Sequence, residues 1–316
     1  MASTNVRGGQ ILDHTVQRVD VDVTTVGNAL ITKAIAGSGI SLNATGADAG
    51  TGDVTFTFVG VFYNFLGGLT LSNDGTTPAT VLDIATGTAA SDDNTTMMTL
   101  STASFKKSIS SAWAVGSGNG GMDTGSVATN TWYHVWLIMR TDTGVVDVLF
   151  SLSATSPTMP TSYSKKRRIG SIFYQAVGPK ISTFVQVGDS FIWTAPGYDG
   201  GSVSATAAST FTAATNVAFT TSVPPGVKVI AIFAVRFAND ATGAVNISIV
   251  SPDRAGPTAV DDTNVWAAGS SVATKDLFVR TDTSQHVVHI ATRAITGTSA
   301  VGIWYFVKGY EDNRGK

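Results

Sequence analysis

The segment from Thr131 to Phe150 constrains the fold more than any other part of the chain. Thr131-Trp132-Tyr133-His134-Val135-Trp136-Leu137-Ile138-Met139 is built of strand-forming residues, and Arg140-Thr141-Asp142-Thr143-Gly144 supplies a turn. Val145-Val146-Asp147-Val148-Leu149-Phe150 runs back. Two-residue alternation places Trp132, His134, Trp136 and Ile138 on one face, and Tyr133, Val135, Leu137 and Met139 on the other. Both faces are largely apolar. Such a hairpin must be covered on both sides, which points to the centre of a two-layer sandwich.

The rest of the sequence agrees. A helical chain of 316 residues would use Glu and Leu freely, because they lose little rotamer freedom in a helix. Here there is one Glu, Glu311, and 12 Leu, against 74 Ser and Thr and 33 Gly. That is strand and turn chemistry, and the expected fold class is all-β. Apolar residues at 43% and charged residues at 13% argue against disorder. The absence of Cys excludes disulfide scaffolds, thiolate metal sites and Cys nucleophiles. A net charge of -2 gives no general attraction to nucleic acid or anionic membrane. No apolar run of about 18 residues suggests a membrane span, and Met1 to Gln10 shows no secretory signal.

Three segments are expected. Residues 1–66 read as a small β-module with alternating stretches at Arg18 to Val23 and Val54 to Phe58, too short for a large core of its own. Residues 67–196 read as a jelly-roll-like sandwich around the hairpin. Residues 197–316 read as a second antiparallel β-sandwich, entered through the loop-like stretch Ala195 to Gly201 and the tight turn Pro224-Pro225-Gly226. The single Glu, Glu311, lies in the polar end, Glu311 to Lys316, and bears on no expected site.

The search for chemistry is mostly negative. His286 and His289 would share a ligand on a helix, but on a strand their odd spacing separates them. His134, between two tryptophans, reads as a packed, hydrogen-bonded core residue. Asp92-Asp93 and Asp261-Asp262 read as turn formers, with a loop calcium ion as the alternative; neither matches an EF-hand loop. No Gly-x-Ser-x-Gly elbow occurs, and Gly116 to Gly121 lacks the Lys-Ser/Thr of a phosphate cradle. No catalytic, cofactor or metal residues are assigned. Lys165-Lys166-Arg167-Arg168 could contact phosphate or an anionic polysaccharide; the plainer reading is a solvated loop or a charged edge-strand guard. Trp113, Tyr163 and Trp266 are candidate stacking platforms for sugar rings. With Asn119, Lys165, Lys166 and Arg167 they form the expected glycan-binding set, each weighed against ordinary packing or solvation.

Two stretches carry a resemblance. Ala36 to Leu42, continuing through Thr45 to Thr55, resembles a recurring segment of bacteriophage tail-fibre and structural proteins. Leu69 to Asp74, Ser111 to Gly121, Asn130 to Val135 and Arg167 to Ile172 together resemble a segment of phage and prophage proteins. The Thr-Trp-Tyr-His-Val strand and its hairpin are similar to concanavalin-like and laminin-G-like jelly rolls. The resemblance implies a tail-fibre, spike or receptor-binding protein located in the virion and assembled in the bacterial cytoplasm. It implies attachment to other virion proteins through the N-terminal module, a homotrimer, and binding of a host cell-surface polysaccharide without an enzyme site. No nucleic-acid partner or membrane insertion is expected. The alternatives are a purely structural head-spike or decoration protein and a polysaccharide-degrading enzyme. The chain lacks the long repetitive β-helix of depolymerase tailspikes.

Overall fold

The computed structural model describes residues 40–42, 56–58, 63–205, 215–239, 244–254, 264–268, 271–291 and 301–316. The chain forms two compact units, Met1–Val61 and Phe62–Lys316. In the first, Ile40–Leu42 and Phe56–Phe58 pair antiparallel, with Ile40 opposite Phe58. The expected strand at Arg18 to Val23 lies outside the described residues.

The second unit is all-β, built of antiparallel and mixed sheets arranged like a sandwich. Among the described residues no helix is long and apolar enough to cross a membrane. The hairpin strands Thr131–Arg140 and Val146–Ser151 pair as expected, Trp136 opposite Leu149. They lie inside an eight-stranded sheet. Thr131–Arg140 has Tyr163–Gln175 as its other neighbour, and Val146–Ser151 runs parallel to the short strand Gly120–Met122. From Trp132 to Ile138 every hairpin residue is buried, as an apolar surface on both faces requires.

A five-stranded sheet carries, in spatial order, Phe184–Val187, Ser190–Ala205, Val301–Glu311, Ile230–Asn239 and Ser271–Arg280. A four-stranded sheet contains Thr215–Ala218, His286–Ala291, Ala244–Val250 and Asn264–Ala268. The 196/197 position, expected as a domain boundary, lies inside the Ser190–Ala205 strand. One apolar core runs from Leu66 to Tyr310 and draws on both expected sandwiches.

Aromatic rings form the join. The Phe191 and Tyr310 rings stack with centroids 5.0 Å apart, and Trp132 lies 5.9 Å from both Trp193 and Tyr310. The indoles keep their polar atoms satisfied, as buried tryptophans must. Trp132 Nε1 donates to the carbonyl of Thr220 at 2.9 Å, and Trp193 Nε1 to that of Ser222 at 3.1 Å. Gly170 makes room for this packing. A Cβ there would sit 2.6 Å from Leu71 Cδ1 and 3.2 Å from Phe191 Cζ.

Because the core is shared, residues 62–316 should unfold in a single transition. Fragments 67–196 and 197–316, made separately, should show no near-ultraviolet circular dichroism. Native-like spectra from both pieces would show that neither needs the other's aromatic residues.

Candidate functional site

The basic run is not a loop. Lys165 to Arg168 lies within the Tyr163–Gln175 strand, and a β-bulge beside it redirects its side chains. Val135 pairs with Gly170 but Trp136 pairs with Arg168, so Ile169 is the inserted residue. In a regular strand Arg168 and Ser171, three apart, would point to opposite faces. The extra residue brings them to the same one, where Arg168 Nη1 donates to Ser171 Oγ at 3.2 Å.

Arg168 then meets Asp312, just beyond the Val301–Glu311 strand. Nη1 donates to Oδ2 at 2.6 Å and Nη2 to Oδ1 at 2.7 Å, with both side chains buried. Burial opposes both charges, but each partner more than offsets this: Arg168 is pushed above its ordinary range and Asp312 is held below the usual carboxylate range. His134 completes the cluster, its Nδ1 2.9 Å from Ser171 Oγ. Burial, and then the charge of Arg168, lower its pKa to about 3. The imidazole is therefore neutral, consistent with the packed histidine expected from the sequence.

The other run members are also engaged. Lys165 Nζ donates to Asp93 Oδ2 at 2.6 Å and to Thr95 Oγ1 at 2.7 Å. Lys166 Nζ donates to Asp92 Oδ2 at 3.0 Å and lies 5.1 Å from the centre of the Trp136 ring. Lysine ammonium groups thus meet both carboxylates of the candidate calcium pair; Asp261-Asp262 lies outside the described residues. Arg167 is buried and donates through Nη2 to the carbonyls of Asn64, at 3.2 Å, and Gly315, at 2.8 Å.

These groups border a cleft of about 460 Å³. Its charged lining is Arg167, Arg168, Lys228 and Arg314 on one side of the balance, and Asp92 and Asp312 on the other. The polar end supplies Asp312, Asn313, Arg314 and Gly315, while Glu311 is not part of the lining. The Pro-Pro-Gly turn supplies Gly226, whose φ of +77° suits glycine and whose added Cβ would meet Ala154 Cβ at 2.7 Å. Both of the cleft's carboxylates are engaged by cations, and Asp312 is held ionised, so it is unsuited to act as a general acid. A second carboxylate pair, Asp74 and Asp83, is split in the direction acid–base chemistry uses, with Asp83 raised by burial and Asp74 lowered by Lys106. Neither lines the cleft, and Asp74 also accepts from Thr76 and Thr77 in a turn.

The expected aromatic platforms meet different fates. Trp113 and Tyr163 pack edge to face at 5.1 Å beside Trp136, Ile138 and Leu149. Tyr163 is 7% exposed, so its ring face is covered, and Trp113 Nε1 donates to the Val148 carbonyl at 3.2 Å. Asn119 is exposed, and its amide donates to the Val115 carbonyl at 2.7 Å. Trp266 lies on the Asn264–Ala268 strand, and its side chain falls outside the described residues. His286 and His289 part as expected: His286 Nδ1 is 3.0 Å from Asp282 Oδ2, and buried His289 Nδ1 is 2.6 Å from Tyr305 Oη. Among the described residues no group of three or more His, Asp or Glu could hold a metal ion. Arg314, Lys228 and Asp312 were not singled out by the sequence, since an isolated charge in a polar stretch carries no pattern.

No family model matches the chain, and no curated protein matches it. Among solved structures it is similar to the Tobacco streak virus coat protein, at 13% identity over 34% of this chain and 85% of that one, TM-score 0.21. It is also similar to a chain of the T13 IBDV viral particle, at 9% identity over 79% and 71%, TM-score 0.22. The Arthrobacter globiformis T6 isomalto-dextranase complexed with panose matches at 17% identity over 56% and 30%, TM-score 0.20. At such TM-scores, neighbours that mix viral shells with a glycosidase assign no function.

Two predictions follow from this geometry. Asp312→Asn leaves Arg168 buried without its counter-charge and should cost about 3–5 kcal/mol in urea unfolding, whereas the Arg168→Met, Asp312→Leu pair should cost less. Equal losses would show that the charge itself is not what matters. His134 gives a pH dependence. Between about 6.5 and 3 the unfolded chain binds a proton that the folded chain refuses, so stability is full above that window and falls as pH drops through it. The urea midpoint should decline from pH 7 to 4.5, and less steeply in His134→Gln; parallel slopes would remove His134 as a cause.

Proposed function

We propose that this chain is a bacteriophage virion protein, a tail fibre or spike, that binds a host cell-surface glycan without cleaving it. The cleft is the observation that carries this reading. It is an open recess walled by arginine and lysine, with its two carboxylates already held by cations. Guanidinium groups recognise oxygen-rich ligands through forked hydrogen bonds, and in the cleft both carboxylates are held by cations rather than free as the acid–base pair that glycoside hydrolysis uses. The phage resemblance in Ala36 to Thr55 supports particle attachment through the N-terminal module, residues 1–66. In a homotrimer, the form such proteins usually take, three shallow sites would gain avidity from weak individual contacts. The protein would act in the virion, after assembly in the bacterial cytoplasm.

One observation favours a second reading, a purely structural virion protein. Several residues first considered for sugar contact are engaged by other groups of the chain: Lys165 and Lys166 pair with aspartates, and Tyr163 packs against Trp113. The two readings separate in an adsorption experiment. The purified protein should bind host cells or a bacterial glycan array, block infection when added in excess, and release no reducing ends. Failure to bind any host, with fragile particles when the gene is deleted, would select the structural role.

A further inference from the structure

The cleft's donors and acceptors do not balance. Asp312 is consumed by Arg168, and Asp92 by Lys166. Arg167 donates to carbonyl oxygens, those of Asn64 and Gly315, and its Nε has no acceptor among the described residues. Arg314 spends Nη2 on Asp189 and Gly188, while its Nε and Nη1 have none. Arg167 is 3% exposed and Arg314 4%, so bulk solvent does not cover these groups. A buried cationic donor left unpaired costs far more than an exposed one, and such groups in native proteins mark an ion or water. Burial pushes the Arg167 guanidinium below its ordinary range, with Asp92 compensating in part.

We propose that the cleft is an oxyanion site, in which a carboxylate or phosphate group of the ligand is received by Arg167 and Arg314; Lys228, on the same wall, is already paired with Asp253. Planar guanidinium forks match the paired oxygens of both groups. Arg314 is paired with Asp189 and Lys228 with Asp253, but Arg167 forms no ion pair among the described residues; a neutral sugar would bring it no counter-charge, and a metal cation would bring these N–H donors no acceptor. The site rests on the receptor reading only for the identity of the molecule that carries the anion: an acidic sugar supplies a carboxylate, a phosphodiester-linked wall polymer a phosphate.

Calorimetric titration of the full chain tests this, using sodium glucuronate, sodium phosphate and glucose at ionic strength matched with sodium chloride. Glucuronate or phosphate should bind saturably and glucose should not. Arg314→Gln should weaken binding at least tenfold, Arg314→Lys should weaken it less, and Arg140→Gln, which removes a half-buried cation outside the cleft, should leave it unchanged. Circular dichroism identifies any variant that fails to fold; Arg314→Lys decides if Arg314→Gln does. Preference for glucuronate names the acidic sugar, and preference for phosphate the wall polymer. No binding of either anion, or equal binding by wild type and both Arg314 variants, overturns the site. A host glycan bound equally well by Arg314→Gln also overturns it while leaving the receptor reading standing. Arg314-dependent anion binding with no adsorption to any host supports the site and removes the receptor.

Discussion

The ion pair between Arg168 and Asp312 is the interaction on which the rest of the second unit is arranged. It ties the eight-stranded sheet to the end of the Val301–Glu311 strand, which lies inside the five-stranded sheet. Removing two charges from water is expensive, and the pair is sustained because its polar atoms are met. Asp312 Oδ1 also accepts from the backbone N–H of Arg314 at 2.9 Å, and Arg168 reaches Ser171. The same contacts fix the tail that follows. Arg314 and Gly315 are thereby set against Arg167, and the cleft acquires its cationic wall.

That tie works only within a dry, shared core. Tyr310 stacks on Phe191 and donates through its hydroxyl to the Ser171 carbonyl at 3.1 Å, so the strand that leads into Asp312 is also held through its last aromatic ring. The absent side chain at Gly170 lets Phe191 approach, and the bulge at Ile169 turns Arg168 toward Ser171. A glycine, one inserted residue and a stacked pair thus do together what none would do alone: they place a charged side chain where it can be paired out of water.

Much of the architecture was legible. The hairpin's two apolar faces implied a covered central strand pair, and every residue from Trp132 to Ile138 is buried. His134 was legible as a core residue because it alternates with tryptophans. Lys165 to Arg168 was less so. Four adjacent cations read locally as a solvated stretch, yet Asp92, Asp93 and Asp312 lie far away in sequence and neutralise three of them. The candidate site was only partly legible: of its charged lining, Arg167, Arg168 and Asp92 belonged to runs the sequence singled out, and Lys228, Asp312 and Arg314 did not.

Alternation, turn residues and the scarcity of helix formers act between neighbours along the chain, so the sequence by itself determined strands, turns and the all-β class. Tertiary structure decided which charges meet. Electrostatic pairing depends on distance in space and on exclusion of water, and neither has a period along the chain. The glutamate-poor composition excluded helices from the start. Only the packed sheets turned the tail beyond Glu311 into the wall of a site, by bringing Asp312 and Arg314 against a strand that begins at Tyr163.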